Sequence, residues 1–358
     1  MGDFLVYGSY GYTGRLVVRE AIERGLEPVL GGRNTSTLES QAVRWGLDCM
    51  AFSLDQPDII ERRLEDVDCV LNCAGPFVHT HEPIVEACLA TDTHYLDITG
   101  EIEVFERIAA RSEQAEQAGV TLIPGVGFDV VPSDCLASHL GDALSDATHL
   151  SLGFDSLGSP TVGTALTMVE SLDEGGAVRE NGDIRSVPTA WKTRSIDFGA
   201  GERTTVTIPW GDVSTAYRST GVPNIEFYMA LPPQAVRGMR LSRHLGPLLG
   251  AEPVKEGLRA LVERTIEGPD EEERRQSESR LWGEITNGDE RLVARLKTPN
   301  GYTLTARTAV ESALRVLDGE TEPGYQTPSL AFGSDYILEF DDVVRRDAMP
   351  PVPGQSAE

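Results

Sequence analysis

Residues 4–15, Phe4-Leu5-Val6-Tyr7-Gly8-Ser9-Tyr10-Gly11-Tyr12-Thr13-Gly14-Arg15, constrain this chain more than any other stretch. A short apolar run enters three glycines spaced three apart, and Leu16, Val17, Val18, Ala21 and Ile22 then recur at helical spacing. Strand, glycine turn and helix open a dinucleotide-binding unit. Gly8 lets the chain turn off the strand, Gly11 clears the approach of a pyrophosphate to backbone, and Gly14 lets helix and strand pack closely. Phosphates would sit on the free N–H groups at the helix N-terminus, so Gly8, Ser9, Tyr10, Gly11, Tyr12, Thr13 and Gly14 are cofactor candidates. Glycine triplets also arise for steric reasons alone; the strand before and the helix after distinguish this one.

The next segments continue the pattern. Glu27–Asn34 reads as a second strand ending in a turn. At this distance from the glycines an NAD site tends to carry an acidic residue for the ribose hydroxyls. Here Arg33 stands in its place, beside Asn34, and a guanidinium would pair with a 2′-phosphate, so NADP(H) is expected ahead of NAD(H). The bland alternative is a solvated turn arginine. Ser36 to Trp45 reads as a helix and Cys49–Asp55 as a third strand, whose Asp55 could accept from the adenine amino group or cap the helix that follows. Asp68–Ala74 forms a fourth strand before Gly75-Pro76-Phe77, and a helix covers Glu82 to Leu89. A strand and turn over His94–Glu101, a long helix from Val104 to Ala118 and strand Val120–Pro124 come next. Apolar strands alternating with helices predict an α/β fold with a doubly wound parallel sheet. Ligands gather at the carboxyl ends of such strands, which brings Ala74, Gly75, Pro76 and Phe77 to the nicotinamide side.

From Leu150 to Leu231 short strands, His149–Phe154, Thr204–Ile208 and Ile225–Met229, alternate with Gly, Pro and Asp clusters, interrupted by a helix near Ala165 to Leu172. This predicts a second α+β domain with a mixed or antiparallel sheet. Met239 to Arg264 sets leucines among arginines, an amphipathic helix pair; the same stretch, 237–264, could alternatively touch a membrane or a lipid carrier. Gly268 to Ser279 reads as a charged loop and turn. Asn287-Gly288 marks a hairpin between strands 281–285 and 291–296. Tyr302 to Leu317 is a helix.

Charge adds a constraint. Fifty-seven acidic against 31 basic residues give a net charge of −26, and only Lys192, Lys255 and Lys297 are lysines. The excess is spread along the chain, which suggests adaptation to molar salt rather than a merely acidic soluble protein and argues against nucleic acid as a partner. The five cysteines, all within the first 135 residues, form no C-x-x-C pair and read as buried thiols of a reducing compartment. His79 and His81 lack a third ligand at recognisable spacing, so no metal is expected. With no signal pattern and no spanning apolar run, a cytoplasmic protein is expected, with a homodimer as the default on base rates.

The pieces Gly8–Gly14, Gly31–Asn34, Asn72–Phe77, Tyr95–Glu101 and Gly125–Asp134, in this order, resemble the saccharopine dehydrogenase-like oxidoreductase family, within it the branch of trans-acting enoyl reductases of lipid biosynthesis. The likeness continues through Val162–Ala165, Val178–Gly182, Gly268-Pro269, Asn300–Tyr302 and Thr327-Pro328. It implies an NADP-type Rossmann domain of 1–130 and 303–345 and a second substrate or dimerisation domain of 131–302; Pro350, Pro351 and Pro353 mark a flexible tail from 346 to 358. The polar groups expected near the cofactor are Tyr95, Asp97, Glu101, Asp129 and Ser133. Tyr95, Asp97 and Asp129 are the candidate catalytic residues, since a tyrosine, or a carboxyl kept protonated by burial, could donate a proton. Against this, Asp97 and Asp129 could merely cap turns, and Tyr95 could be core. Three functions follow: reduction of a carbon–carbon double bond in a lipid-type substrate, amino-acid or imine oxidoreduction with Arg179, Arg185 and Arg194 as carboxylate partners, or a non-catalytic NADP(H) sensor or scaffold.

Overall fold

Each strand of the first sheet alternates its side chains between two helical layers, as the short apolar runs require. The computed structural model describes residues 4–156, 161–170, 175–242, 251–265 and 268–349, and the chain divides into two units, Met1–Val131 with Tyr302–Phe332, and Pro132–Gly301 with Gly333–Glu358.

In the first unit β1 (Phe4–Tyr7), β2 (Val29–Gly32), β3 (Cys49–Ala51), β4 (Cys69–Asn72), β5 (His94–Asp97) and β6 (Thr121–Ile123) are linked by α1 (Tyr12–Glu23), α2 (Thr35–Trp45), α3 (Pro57–Leu64), α4 (His81–Ala90), α5 (Ile102–Ala109) and α6 (Ser112–Ala118). The order is β6-β5-β4-β1-β2-β3, with the short strand Gly324–Tyr325 outside β6, and every pairing is parallel. Phe4 and Val6 face a core with Val17, Val18 and Leu38, whereas Leu5 and Tyr7 face Ile60, Ile84 and Val85. Ala306, Ala309, Val310 and Ala313 of the helix Gly301–Leu317 fill the first of these cores, which places that helix in this unit.

The long helix expected from Val104 to Ala118 is two helices. Arg111 leaves helical geometry (φ −94°, ψ 1°). The restart brings Ser112 to the sheet edge, where its hydroxyl accepts the Tyr325 N–H at 3.0 Å.

The second unit holds β7 (His149–Ser156), β8 (Gly176–Glu180), β9 (Asp183–Val187), β10 (Thr193–Asp197), β11 (Glu202–Thr207), β12 (Asn224–Ala230), β13 (Glu278–Thr286) and β14 (Arg291–Pro299). They form a mixed sheet in the order β10-β11-β12-β7-β13-β14, with β8 joining β12 to β9 and only β12–β7 parallel. The sheet curls strongly: β10 and β14 lie five places apart, yet Arg295 Nε donates to the Asp197 carbonyl at 2.7 Å. Its concave side closes over a small core of Ile196, Phe198, Tyr228, Trp282 and Val293.

The strand Val344–Met349 pairs with β14, and 333–349 belong to the second unit. The expected division, with the first domain running to 345 and a tail from 346, therefore does not match these residues; 350–358 lie outside the described residues. A helix, Glu271–Gln276, capped by Asp270, stands in the expected charged loop. The expected helix pair appears as Pro233–Ser242 and Glu252–Thr265, with 243–250 outside the described residues. Among the described residues no helix is long and apolar enough to cross a membrane.

Ion pairs such as Arg107–Glu103 and Arg275–Glu271 lie half-exposed or more on helix surfaces, where each contributes little. With a net charge of −26, repulsion among carboxylates should dominate surface electrostatics. Raising KCl from about 0.1 to 1 M shortens the screening length from ~10 to ~3 Å. The melting temperature is therefore expected to rise over that range; a flat or falling melting curve would count against a salt-adapted surface.

Candidate functional site

The turns that follow the parallel strands assemble one site. After β1 the chain reverses at Gly8 (φ +84°), where a Cβ would lie 2.9 Å from the Ala74 nitrogen and the Cys73 carbonyl carbon. The turns after β1 and β4 are thus in van der Waals contact, at the point where the strand order runs in opposite directions from β1, and this is where open α/β sheets bind ligands. A Cβ on Gly14 would sit 2.2 Å from the Gly8 carbonyl oxygen, so α1 starts directly against the turn. Gly11 is the N-cap of α1 and makes no side-chain cap bond, and the first turn, with Tyr12, Thr13 and Gly14, carries no acidic residue. A helix start with a glycine N-cap and no acidic side chain is a cradle that fits a pyrophosphate.

Three of the expected cofactor residues have internal duties. The Ser9 hydroxyl donates to Gln41 Oε1 at 2.8 Å and the Gln41 amide returns a bond to the Ser9 carbonyl at 2.9 Å, both groups buried. Asn34 caps α2, its Oδ1 accepting the Thr37 N–H at 3.0 Å. Tyr10 holds the Asn34 N–H on its hydroxyl oxygen at 3.3 Å. These side chains fix the cradle, leaving their backbone for ligand contact. Gln41 carries no local signal in the sequence, because its partner is 32 residues away.

Arg33 is exposed and forms no ion pair among the described residues. Burial pushes the Tyr7 hydroxyl up to about 12; Tyr10 and Asp55 add to the rise and Arg33 opposes it. Arg33, Asp55 and Tyr10 thus each lie within electrostatic reach of the Tyr7 hydroxyl, and they follow β2, β3 and β1 in the chain. Asp55 accepts from the Ser53 hydroxyl at 2.8 Å and does not cap α3.

On the other side of β1 the turn Ala74-Gly75-Pro76-Phe77 is held from two directions. Asn72 Oδ1 accepts the Ala74 N–H at 3.0 Å, and the Thr80 hydroxyl donates to the Ala74 carbonyl at 2.7 Å. Glu101 places one carboxylate oxygen on each of the Phe77 and Val78 N–H groups, at 2.8 and 2.7 Å.

The candidate catalytic residues separate into two environments. Tyr95 and Asp97 are fully buried and bonded to each other at 2.8 Å. Asn72 donates to the Tyr95 oxygen, and Asp97 Oδ1 accepts the Thr99 and Gly125 N–H groups at 3.0 and 2.8 Å. This network ties the ends of β4, β5 and β6 together. Burial raises the Asp97 carboxyl to about 7 against the pull of the Thr99, Gly125 and Tyr95 hydrogen bonds. Asp129 is only half-buried by surface area, and its carboxyl lies against Gly100, with Oδ2 3.1 Å from the position a Cβ would take. Desolvation, then the charge of Glu101, lifts it to about 7. Ser133 lies in the second unit and donates to Asp212 at 2.9 Å.

Comparison with known proteins follows the same lines. Residues 4–123 match the family model described as Saccharopine dehydrogenase NADP binding domain. A probable mitochondrial saccharopine dehydrogenase-like oxidoreductase of Arabidopsis thaliana is 32% identical over 150 residues, covering 37% of this chain and 33% of its own length. A trans-acting enoyl reductase of Mycobacterium leprae is 31% identical over 140 residues, covering 37% and 34%. The matched stretch thus spans about a third of these relatives. The solved structure of a saccharopine dehydrogenase from Saccharomyces cerevisiae is similar over 95% of this chain and 96% of its own, with a TM-score of 0.66 at 11% identity, a likeness of fold. Residues 4–123 thus match an NADP-binding domain of the saccharopine dehydrogenase type, and the fold of the chain is like that of a saccharopine dehydrogenase.

Proposed function

We propose that the chain is an NADP(H)-dependent oxidoreductase that reduces a carbon–carbon double bond in a lipid-type substrate. The observation that carries the redox reading is the close backbone approach of the Gly8 and Ala74 turns, with a carboxyl, Asp129, near the neighbouring strand ends. Bound NADPH would supply the hydride. The chain's own part is then to grip the phosphates at the start of α1, to hold the Gly75–Phe77 turn under the ring, and to deliver a proton. Asp129 suits the last task better than Tyr95 or Asp97, which are sealed in the interior.

The substrate class is supported by the likeness to the M. leprae enoyl reductase and by Leu241 and Leu261, 70% and 56% exposed on the helices Pro233–Ser242 and Glu252–Thr265. Amino-acid or imine chemistry would want arginines available to carboxylates. The three candidates are committed internally: Arg179 to the Val213 and Gly182 carbonyls, Arg185 to Glu180, and Arg194 to Glu284.

The test is transfer of label from deuterated NADPH into a cell extract, read by mass. Label in a lipid supports the proposal; label in an amino acid sinks the substrate class, and tight NADPH binding with no transfer sinks the enzyme reading in favour of a sensor. Once a substrate is known, kcat/KM for reduction should be high below pH 7 and fall as the pH rises through about 7, because the acid must carry its proton. Asp129→Asn should remove that limb and lower kcat/KM by roughly 100-fold; a retained limb assigns the acid elsewhere.

A further inference from the structure

Glu101 occupies the first position after the β5 turn, as the N-cap of α5, but its side chain does not cap that helix. It reaches instead to the turn after β4, where its two oxygens take two successive backbone N–H groups, Phe77 and Val78. Such a bidentate grip suits a carboxylate, whose oxygens both accept; a protonated carboxyl has one good acceptor. Negative charge is thereby fixed beside Asp129, which packs on the adjacent Gly100. The charge of one carboxyl raises the other's hold on a proton. The hydrogen bonds decide which group carries it, because those made by Glu101 require the ionised form.

We propose that Glu101 is the positioning residue of this site: its carboxylate fixes the turn under the nicotinamide, and its charge keeps the proton on Asp129. The inference rests on the NADP(H) reading of the first unit. The other groups around Asp129 do not compete for this role. Asp97 lies behind the β5 end within its own network. From the helix Gly301–Leu317, Thr305 meets the Gly127-Phe128 backbone with an uncharged hydroxyl, accepting the Phe128 N–H at 2.9 Å. Phe105 of α5 packs on Gly125. Glu101 adds its charge to the desolvation that raises Asp129.

The full chain, labelled with carbon-13 at the aspartate carboxyl and free of cofactor, allows the charge to be read without turnover. Its carboxyl resonances are followed by NMR from pH 5 to 9, with Asp129→Asn assigning the Asp129 signal apart from that of Asp97. Glu101→Gln should lower the Asp129 titration by about one unit, a tenfold change in protonation. Glu101→Asp keeps the charge on a shorter arm, so the titration should stay near that of wild type. NADPH binding, followed by nucleotide fluorescence, should weaken about tenfold in both variants, as expected for a lost charge-assisted hydrogen bond. An unmoved Asp129 signal in Glu101→Gln overturns the inference, and so does wild-type NADPH affinity in Glu101→Asp, which still applies if the glutamine variant does not fold. Wild-type protein that fails to bind NADPH overturns the cofactor reading instead, a separate result.

Discussion

Gly14→Ala is expected to destroy NADPH binding and to destabilise the protein by about 3 kcal/mol, the upper end of ordinary overpacking. The new Cβ would lie 2.2 Å from the Gly8 carbonyl oxygen, 2.9 Å from its carbon and 3.0 Å from Ser9 Cα, all of them backbone atoms. None can swing aside as a side chain would. The Gly8 carbonyl already accepts the Gly11 N–H at 3.0 Å, and the Gly8 N–H is bound to Gly31 at 2.9 Å. Gly8 has no room of its own, being pressed on the turn after β4. Relief must come from α1 moving outward, which pulls Val17, Val18 and Ala21 from the core and takes the phosphate-binding amides with it. NADPH affinity should fall by at least about 100-fold, the equivalent of ~3 kcal/mol. Gly25→Ala is the control: Gly25 lies just beyond the other end of the helix at φ +78° with nothing within 4 Å, so it should cost about 1 kcal/mol of backbone strain and leave NADPH affinity unchanged. Fluorescence titration and urea melts measure both quantities. Affinity of Gly14→Ala within threefold of wild type would remove the cradle from the site.

What could be read from the sequence follows from how local each constraint is. Gly8, Gly11 and Gly14 were legible because turn geometry, backbone approach and helix start are properties of seven adjacent residues. The motif around Gly75 was legible from its place after an apolar strand. Side-chain roles were less so. Ser9 and Asn34 sit where ligand contacts are expected, but their side chains answer to Gln41 and Thr37, and the first of these pairings is set only by the packing of α2 on the turn. Tyr95 and Asp97 stand out as polar residues in an apolar strand; that they bond to one another is invisible until β4 and β6 close around them. The strands β8, β9 and β10 went unmarked because they lie at the margin of a curled sheet, with nearly every side chain of β9 and β10 at least partly exposed and no alternating apolar pattern to read. Glu101 appeared as one acidic residue near others, and its grip on Phe77 and Val78 is a tertiary fact.

Arg33 should decide between the two nicotinamide cofactors. It is exposed, has no ion pair among the described residues, and shares its surroundings with Asp55 through their opposed effects on Tyr7. A 2′-phosphate at this spot would gain a charge-assisted bond from Arg33 and meet repulsion from Asp55, and the guanidinium must outweigh the carboxylate for NADPH to be preferred. Arg33→Ala removes the attraction and keeps the repulsion, so NADPH should weaken by about 10- to 100-fold, matching the ~1.5–3 kcal/mol of a bond to a charged group. NADH has no 2′-phosphate and should change little. Arg33→Asp should reverse the preference, because a second carboxylate repels the phosphate and can accept from the ribose hydroxyls. Arg33→Ala combined with Asp55→Ala should recover part of the loss, a recovery that simple damage to the turn would not produce. Because the groups are exposed, molar KCl should compress all these differences while leaving the cradle's affinity for both cofactors. Dissociation constants for NADPH and NADH, measured at low and high KCl for the four proteins, give the answer. An NADPH-to-NADH ratio that Arg33→Ala leaves unchanged would mean that the 2′-phosphate lies elsewhere and that the cradle, not the arginine, sets cofactor choice.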